Sequence, residues 1–232
     1  MVRALILAGG FGTRLKEITA LVPKPMVDIA GKPFLDYLLK DLANQGLKNV
    51  TLLVGHKKEV IIDSYKNSFE SLSIDYVAED SPLGTGGAIL NAMKHYPNDD
   101  EFLVINGDTY FGINYTEFIS KKKGQATLAL SHQLDVSRYG SVVIDPDFRV
   151  KNFIEKNETS SAGYINGGIV FLNRSLFAGV TAEKFSFEKD ILELEARNGQ
   201  IFGIPCDGEF IDIGTPSSYE EAQIFFPKWF GE

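Results

Sequence analysis

The sequence has few of the residues that build disulfide frameworks, zinc sites or membrane spans. Its 232 residues include one cysteine, Cys206, and three histidines, which form no cluster with zinc-ligand spacing. One cysteine cannot form an internal disulfide, and no apolar run approaches the length of a transmembrane helix. We therefore expect a cytoplasmic protein that neither spans a membrane nor depends on disulfides.

Positive charge is also scarce. The chain carries 23 Lys and Arg residues against 31 Asp and Glu residues, a formal net charge of -8. Nucleic-acid-binding domains usually present a basic face, so this balance argues against a nucleic-acid partner. An anionic ligand would have to be attracted by a few local positive charges.

The first glycine-rich stretch lacks the endings of two common phosphate-binding motifs. No Gly-Lys-Ser/Thr closes it, which excludes a P-loop, and Leu15 stands where a dinucleotide fingerprint has its third glycine. An apolar strand that ends in glycines still exposes backbone N–H groups to an anion, and Arg14 adds a positive charge. The stretch is therefore either a phosphate-binding loop or a tight turn. Its sequence is ALILAGGFGTRL at residues 4–15, with the glycines at Gly9, Gly10 and Gly12.

Lys24 lies between two prolines in the segment Val-Pro-Lys-Pro-Met. Pro23 and Pro25 restrict the backbone on both sides, so the ammonium group can be held in one place. Arg14 and Lys24 together suit a triphosphate, because the guanidinium presents a planar fork and the ammonium a point charge. The alternative is a solvated surface lysine.

A second glycine-rich stretch, Pro-Leu-Gly-Thr-Gly-Gly-Ala at residues 82–88, stands directly before a predicted helix. Its glycines leave room for a flat ligand against the backbone, whose N–H and C=O groups can read the edge of a base. Gly84 and Thr85 are the candidates for this contact. Glycines at the start of a helix can also serve packing alone.

Two aspartates follow apolar runs. Asp108 closes the segment Asn-Gly-Asp at the carboxyl end of a predicted parallel strand, where open α/β sheets bind ligands. Asp212 lies in Phe-Ile-Asp-Ile-Gly-Thr-Pro. A carboxylate that faces a phosphate site needs a cation between the two, so the pair indicates a Mg²⁺ site. Each aspartate alone is also compatible with a turn or a helix cap.

Three polar segments further along the chain indicate a second substrate pocket. Asn and Glu side chains offer the donors and acceptors that sugar hydroxyls need, and Lys156 is suited to a phosphate. Surface charge or turn chemistry is the alternative explanation for each segment. We expect the Asn-Gly-Gly segment to begin a strand. The candidate residues are Tyr139, Gly140, Glu155, Lys156, Asn166 and Gly167.

Strand-like and helical patterns alternate in the first half of the chain, which predicts an α/β protein with parallel βαβ units. Beyond Asp108 the predicted strands become shorter. The aromatic residues of the last segment are typical of a buried core or, alternatively, of a homodimer interface. We predict a single domain, 1–232, with a nucleotide-binding half at 1–112 and a half at 113–232 for the second substrate. The predicted strands are 2–7, 50–54, 74–78, 102–105, 127–130, 141–144, 151–154, 165–172, 201–205 and 210–213, and the later helices 187–197 and 219–226.

Taken in order, these segments resemble the sugar-1-phosphate nucleotidyltransferases over nearly the whole chain. The later segments are most similar to the branch that joins GTP to D-glycero-α-D-manno-heptose 1-phosphate. The resemblance implies a three-layer Rossmann-like fold with a mostly parallel mixed central sheet and a small C-terminal substrate lobe. The matching segments are Leu-Ala-Gly-Gly-Phe-Gly-Thr-Arg-Leu at 7–15, Lys-Pro at 24–25, Gly-Thr-Gly-Gly at 84–87, Asn-Gly-Asp at 106–108 and, for the branch, Arg-Tyr-Gly at 138–140 and Asn-Gly-Gly at 166–168.

The resemblance also implies a role for each candidate residue. Arg14, Lys24 and Asp108 would be catalytic, and Asp108 and Asp212 would hold Mg²⁺. The sugar phosphate would lie against the second-pocket candidates named above. The nucleotide would lie against Leu7, Ala8, Gly9, Gly10, Gly12, Thr13, Gly84, Thr85 and Asn106.

The implied reaction joins an NTP, with GTP favoured, to a sugar 1-phosphate, with the heptose favoured, and releases pyrophosphate. Its product would be an NDP-sugar such as GDP-heptose for polysaccharide biosynthesis. GTP with mannose 1-phosphate and UTP with an N-acetylated sugar 1-phosphate are the alternatives within the family. A related glycosyltransferase would need a second aspartate close to Asp108, and a catalytically silent sugar-nucleotide sensor would tolerate the loss of Arg14 or Lys24.

Overall fold

Strands and helices alternate along the chain in the computed structural model, which describes residues 2–10, 19, 21–155 and 161–231. No helix in these ranges is long and apolar enough to cross a membrane. The strands are β1 (Arg3–Leu7), β2 (Asp28–Ile29), β3 (Lys32–Pro33), β4 (Asn49–Val54), β5 (Ser68–Phe69), β6 (Leu72–Ala78), β7 (Glu101–Asn106), β8 (Thr109–Phe111), β9 (Ala126–Gln133), β10 (Ser141–Ile144), β11 (Val150–Ile154), β12 (Gly163–Asn173), β13 (Ile201–Pro205) and β14 (Phe210–Asp212). The helices are α1 (Phe34–Asn44), α2 (Lys58–Tyr65), α3 (Gly84–His95), α4 (Tyr115–Ser120), α5 (Glu193–Arg197) and α6 (Pro216–Phe230), with 3₁₀ turns at Lys24–Met26 and Arg174–Phe177 and a π-helical segment at Phe187–Leu192.

A mixed sheet runs through the middle of the protein. Over the described residues its strands lie in the order β13-β9-β12-β7-β1-β4-β6-β5. The pairs β1–β4, β1–β7, β4–β6 and β9–β13 are parallel, whereas β12 runs against both of its neighbours and β5 runs against β6. The expected mostly parallel mixed sheet is confirmed, and both halves of the chain contribute strands to it.

The strands in the middle of the sheet, β1, β4 and β7, are covered on both faces, which explains why they read as continuous apolar runs. On β1, Ala4 and Ile6 pack into one hydrophobic cluster, whereas Leu5 packs into a second cluster on the opposite face. Helices α1, α2, α4 and α6 contribute to the first cluster, and α3, the π-helical segment and α5 to the second. The result is the three-layer α/β arrangement that the sequence predicts.

Two predicted boundaries are wrong. The segment at Asn166 does not begin a strand but lies inside β12, where the pairing with β9 becomes irregular between Asn166 and Val170. The helix predicted at 219–226 is longer, because Thr215 caps its start by accepting a hydrogen bond from the backbone N–H of Ser218 at 3.3 Å. The remaining predicted strands and helices are present with small shifts at their ends.

The aromatic residues of α6 complete the core on one side of the sheet. Phe226 is fully buried, and its ring centroid lies 4.6 Å from that of Tyr37, 5.3 Å from that of Tyr110 and 5.5 Å from that of Phe34. Phe225, on the outer face of the helix, is 38% exposed. Phe226 is therefore a fully buried anchor of the helix, and Phe230 packs beside it against Tyr37 at 4.9 Å and Tyr110 at 5.5 Å. The homodimer stays a prediction.

We predict that Phe226→Ala lowers the free energy of unfolding by about 3–5 kcal/mol, because it leaves a cavity among buried aromatic rings. Urea denaturation followed by circular dichroism measures this change. The matched control, Phe225→Ala on the same helix, should cost less than about 1 kcal/mol, since its ring is partly in water. Equal losses in the two variants would contradict the packing described above.

Candidate active site

A cavity of about 350 Å³ opens at the carboxyl ends of the parallel strands β1, β4, β6 and β7. Leu53, Val77 and Ala88 contribute apolar surface, whereas polar groups stand at its ends. This is where open α/β sheets bind ligands. The lining residues are Leu7, Gly9, Gly10, Lys24, Pro25, Leu53, Val54, Val77, Glu79, Pro82, Gly84, Thr85, Ala88, Asn91, Asn106, Gly107, Asp108 and Glu188.

Most of the predicted nucleotide-binding residues meet in this cavity. Ala8 is the exception among the described ones: it is buried, and its backbone N–H donates to the Leu53 carbonyl at 2.9 Å. Gly12, Thr13 and Arg14 lie outside the described residues, so their roles stay predictions. The residues that the structure brings together are Leu7, Gly9, Gly10, Lys24, Gly84, Thr85, Asn106 and Asp108.

Lys24 stands at one end of the cavity in contact with two carboxylates. Its Nζ lies 2.5 Å from Oδ2 of Asp108 and 4.0 Å from Oδ1 of Asp212. The lysine side chain is 13% exposed. Pro25 follows it in a 3₁₀ turn, in which the N–H of Met26 donates to the Pro23 carbonyl at 2.8 Å. The turn fixes the backbone on both sides of Lys24, and the contacts of its ammonium group are with the two carboxylates.

Strand pairing brings Asp212 beside Asp108 although the two are far apart in the chain. β14 pairs antiparallel with β8, which places Asp212 opposite Thr109. The backbone N–H of Ile213 also donates to the Asp108 carbonyl at 3.0 Å. Asp108 lies in the turn between β7 and β8 and Asp212 ends β14, so the pairing of β8 with β14 brings both carboxylates to the same ammonium group.

The surroundings of Asp212 disfavour its ionised form. Burial is the largest cause of the raised pKa of this carboxyl, and the neighbouring negative charge of Asp108 raises it further. Lys24, the backbone N–H of Gly214 and Arg138 oppose these effects but do not cancel them. A cation placed between the two carboxylates would remove the repulsion.

The two aspartates fit a hard divalent cation. Carboxylate oxygens are the ligands such ions prefer, and an ion at a nucleotide site usually keeps only one or two protein carboxylates beside water and phosphate oxygens. Within the described part of the chain, no group of three or more acidic, His or Cys side chains could hold a metal. Two carboxylates would hold such an ion only together with water or phosphate oxygens, so the metal site of Asp108 and Asp212 stays a prediction.

The glycines at the start of α3 serve packing at least in part. The N–H groups of Gly86 and Gly87 both donate to the Phe185 carbonyl, at 3.1 and 3.4 Å. A Cβ at Gly86 would overlap the Phe185 ring. Thr85 donates its hydroxyl to Glu188 at 2.8 Å. Gly84 and Thr85 still line the cavity, so their contact with a nucleotide stays a prediction.

The second-substrate candidates that the structure describes, which are all except Lys156, lie outside the main cavity. Tyr139 packs its ring edge-on against Phe210, at 5.6 Å between centroids, two residues before Asp212. Gly140 follows Tyr139 in a left-handed conformation, with φ of 78°. Glu155 is exposed and lies 3.4 Å from the ammonium group of Lys189.

The irregular part of β12 lies close to the end of β7. Asn166 accepts a hydrogen bond from the N–H of Gly168 at 3.0 Å, and a Cβ at Gly168 would lie 3.2 Å from the Asn106 side chain. Gly167 packs against Phe111. Lys156 lies outside the described residues. Contact of this group with a sugar phosphate stays a prediction.

Two carboxylates in the cavity were not predicted as site residues, Glu79 and Glu188. Glu79 follows the predicted strand 74–78, so the rule that ligands bind at the carboxyl ends of parallel strands could have found it. Glu188 reaches the cavity only because the segment that begins at Phe185 docks on α3. No local pattern signals that contact.

A family model described as nucleotidyl transferase matches residues 3–228. The chain belongs to this family. As a nucleotidyltransferase it is an enzyme of nucleotide-sugar biosynthesis, and members of the family generally use a divalent metal, in agreement with the paired aspartates.

Several relatives cover the nucleotidyltransferase almost from end to end. A D-glycero-alpha-D-manno-heptose 1-phosphate guanylyltransferase from Aneurinibacillus thermoaerophilus is 41% identical over 95% of this chain and 96% of its own. An enzyme of the same name from Campylobacter jejuni is 43% identical over 94% and 96%. The crystal structure of HddC from Yersinia pseudotuberculosis complexed with GMP-PN superposes with a TM-score of 0.87, at 42% identity, over 97% of this chain and 100% of that chain.

We predict that Asp212→Asn raises the thermal unfolding midpoint of the ligand-free nucleotidyltransferase by about 2–4 °C, equivalent to about 1 kcal/mol for a protein of this size. Because the pKa of Asp212 is raised on folding, ionising this carboxyl costs stability as the pH rises from its usual value of 3.8 through the raised value. Asparagine removes that cost.

Differential scanning calorimetry with chelator at neutral pH measures the shift. The difference between variant and wild type should shrink in acid, where the wild-type carboxyl is protonated. A lower midpoint for Asp212→Asn at neutral pH would mean that the attraction to Lys24 outweighs burial and repulsion.

Proposed function

We propose that the protein transfers GMP from GTP to D-glycero-α-D-manno-heptose 1-phosphate, with Mg²⁺ bound by Asp108 and Asp212, and releases pyrophosphate. The product is the GDP-heptose. The observation that carries the proposal is the position of Lys24, whose ammonium group contacts both aspartates at one end of a nucleotide-sized cavity. A catalytically silent sensor would not need this arrangement, and a glycosyltransferase would not need cations placed for a triphosphate.

The reaction requires charge neutralisation and alignment rather than proton transfer. A phosphate oxygen of the sugar phosphate attacks the α-phosphorus of GTP, and the bond to pyrophosphate breaks on the opposite side. The attacking oxygen already carries negative charge, so no general base is needed. Negative charge builds up between two anionic reactants, and preorganised positive groups lower that barrier.

Lys24 supplies one such positive group. Its backbone is fixed by the flanking prolines and its ammonium group contacts the two carboxylates, so the positive charge is in position before the substrates bind. When bound, Mg²⁺ would neutralise phosphate oxygens at the same end of the cavity. We assign Arg14, Gly12 and Thr13 to the triphosphate on the sequence pattern.

We assign the second substrate to the side of Asp212 on which Tyr139 lies. Tyr139 lies near Asp212, as shown by their electrostatic interaction, and Arg138 donates to the Thr215 hydroxyl at 3.2 Å. The sugar ring would contact Tyr139, Gly140, Glu155, Asn166 and Gly167, and Lys156 would hold the phosphate. The choice of GTP and of the heptose is supported by the names of the relatives that match at 41–43% identity.

The test is a matrix of nucleoside triphosphates against heptose, mannose, glucose and N-acetylated sugar 1-phosphates, scored by pyrophosphate release and by mass of the sugar nucleotide. GTP with the heptose 1-phosphate should give the highest kcat/KM, and chelator should abolish turnover until Mg²⁺ is restored. If activity is highest with mannose 1-phosphate, the second substrate is mannose 1-phosphate and not the heptose 1-phosphate. No pyrophosphate from any pair would favour the sensor.

We predict that Lys24→Met lowers kcat on the order of 100- to 1,000-fold, because it removes a fixed positive charge from the reacting phosphates. Steady-state pyrophosphate assays measure the loss, and the unfolding midpoint checks that the variant is folded. The matched control is Lys121→Met, which removes a lysine paired with Glu117 on the surface of α4 at 2.6 Å. The control should keep wild-type kcat, and a Lys24→Met variant as active as the control would refute the role of Lys24.

A further inference from the structure

The two oxygen atoms of the Asp108 carboxylate have different partners. Oδ2 lies 2.5 Å from the ammonium group of Lys24, and Oδ1 lies 3.2 Å from the hydroxyl oxygen of Thr109. An ionised carboxylate only accepts hydrogen bonds, so the Thr109 hydroxyl is the donor. The carboxylate is thus held through both oxygens, although its side chain is 38% exposed.

Packing fixes the side chain of Thr109. This residue begins β8 and is 8% exposed, and strand pairing places it opposite Asp212 of β14. Its carbon atoms lie against β12, since a Cβ at Gly168 would lie 3.2 Å from both Cβ and Cγ2 of Thr109. A β-branched side chain has few χ1 rotamers. The methyl group therefore occupies the packed space beside Gly168, while the hydroxyl is directed at Asp108.

The orientation of the Asp108 carboxylate matters because this residue lies in a turn and faces the cavity. With the ammonium group of Lys24 as its sole partner, the carboxylate would be free to turn about its Cβ–Cγ bond. A hydrogen bond to the other oxygen removes that rotation, and each oxygen keeps a second lone pair for a cation. Side chains that orient a metal ligand without touching the metal typically change metal affinity or activity 10- to 100-fold.

We propose that Thr109 is a positioning residue whose hydroxyl fixes the plane of the Asp108 carboxylate for a divalent cation. The inference rests on the proposed function, which takes Asp108 and Asp212 as the ligands of that cation. It adds a side chain that acts only through Asp108. The alternative is that threonine serves β8 by its shape alone, through the methyl group packed beside Gly168.

Two substitutions separate the hydroxyl from the methyl group. Thr109→Val keeps the shape and removes the hydroxyl, whereas Thr109→Ser keeps the hydroxyl and removes the methyl group. We expect Thr109→Val to lower kcat on the order of 10- to 100-fold and to raise the Mg²⁺ concentration for half-maximal activity about tenfold. Thr109→Ser should stay within about threefold of wild type in both quantities. Its unfolding midpoint should nevertheless fall, because a buried methyl group is lost.

Binding of Mn²⁺ alone gives a readout that does not depend on turnover. Carboxylate oxygens suit Mn²⁺ as they suit Mg²⁺, and electron paramagnetic resonance of free Mn²⁺ measures its dissociation constant from the ligand-free protein. Thr109→Val should raise this constant on the order of tenfold, and Thr109→Ser should leave it within about threefold of wild type. Equal constants for wild type and Thr109→Val, or equal losses in the two variants, would overturn the proposal.

Thr127→Val is the matched control. Thr127 is a fully buried threonine whose hydroxyl donates to the carbonyl of Lys123 and accepts from its N–H, both at 2.8 Å. It lies near the start of β9, which runs parallel to β7, so it is at the edge of the sheet opposite to the cavity. The variant should lower the unfolding midpoint but leave kcat and Mn²⁺ affinity within about twofold of wild type. A change in Mn²⁺ affinity as large as that in Thr109→Val would indicate a general loss of rigidity and refute the role of Thr109.

Asp212→Asn distinguishes failure of this inference from failure of the proposed metal site. It changes a proposed ligand, so it should weaken Mn²⁺ binding at least as much as Thr109→Val does. Weaker binding in Asp212→Asn with unchanged binding in Thr109→Val would refute the role of Thr109 and leave the metal site intact. Unchanged Mn²⁺ binding in both variants would overturn the metal site of the proposed function, and this inference with it.

Discussion

Two carboxylates that repel each other are held beside one ammonium group, and much of the fold serves to keep them there. Asp108 directly precedes β8, Asp212 ends β14, and these two strands pair with each other. Lys24 comes from a turn bounded by two prolines and contacts both carboxylates. Each contact lies between segments distant in sequence. Bringing the like charges together costs stability, as the raised pKa of Asp212 shows, and a divalent cation bound between the two carboxylates would offset that cost.

The sheet could be predicted from the sequence because its signal is local. The apolar runs that became β4 and β7 are buried on both faces, and such runs are typical of covered parallel strands. Lys24, Asp108 and Asp212 could be selected because their residue types and flanking residues indicate phosphate and metal chemistry. The structure confirms that the three side chains lie in contact with one another, while the roles of individual site residues stay predictions.

Other parts of the site depend on contacts between distant segments and could not be predicted in that way. The position of Asn166 within β12 follows from an irregular pairing with β9, which no pattern in its own segment reveals. Glu79 has space for its carboxylate because glycines, Gly9 and Gly55, follow the neighbouring strands β1 and β4. The glycines at the start of α3 show the opposite case. Their pattern predicts contact with a ligand, whereas the N–H groups of Gly86 and Gly87 donate to the carbonyl of Phe185, about a hundred residues later in the chain.

The pairing of β14 with β8 has a consequence for the order in which the enzyme is made. Protein synthesis proceeds from the N-terminus, so the strands that form the cavity leave the ribosome well before Asp212 does. The arrangement of one ammonium group between two carboxylates is therefore completed only when β14 pairs with β8, in the last part of the chain to be made.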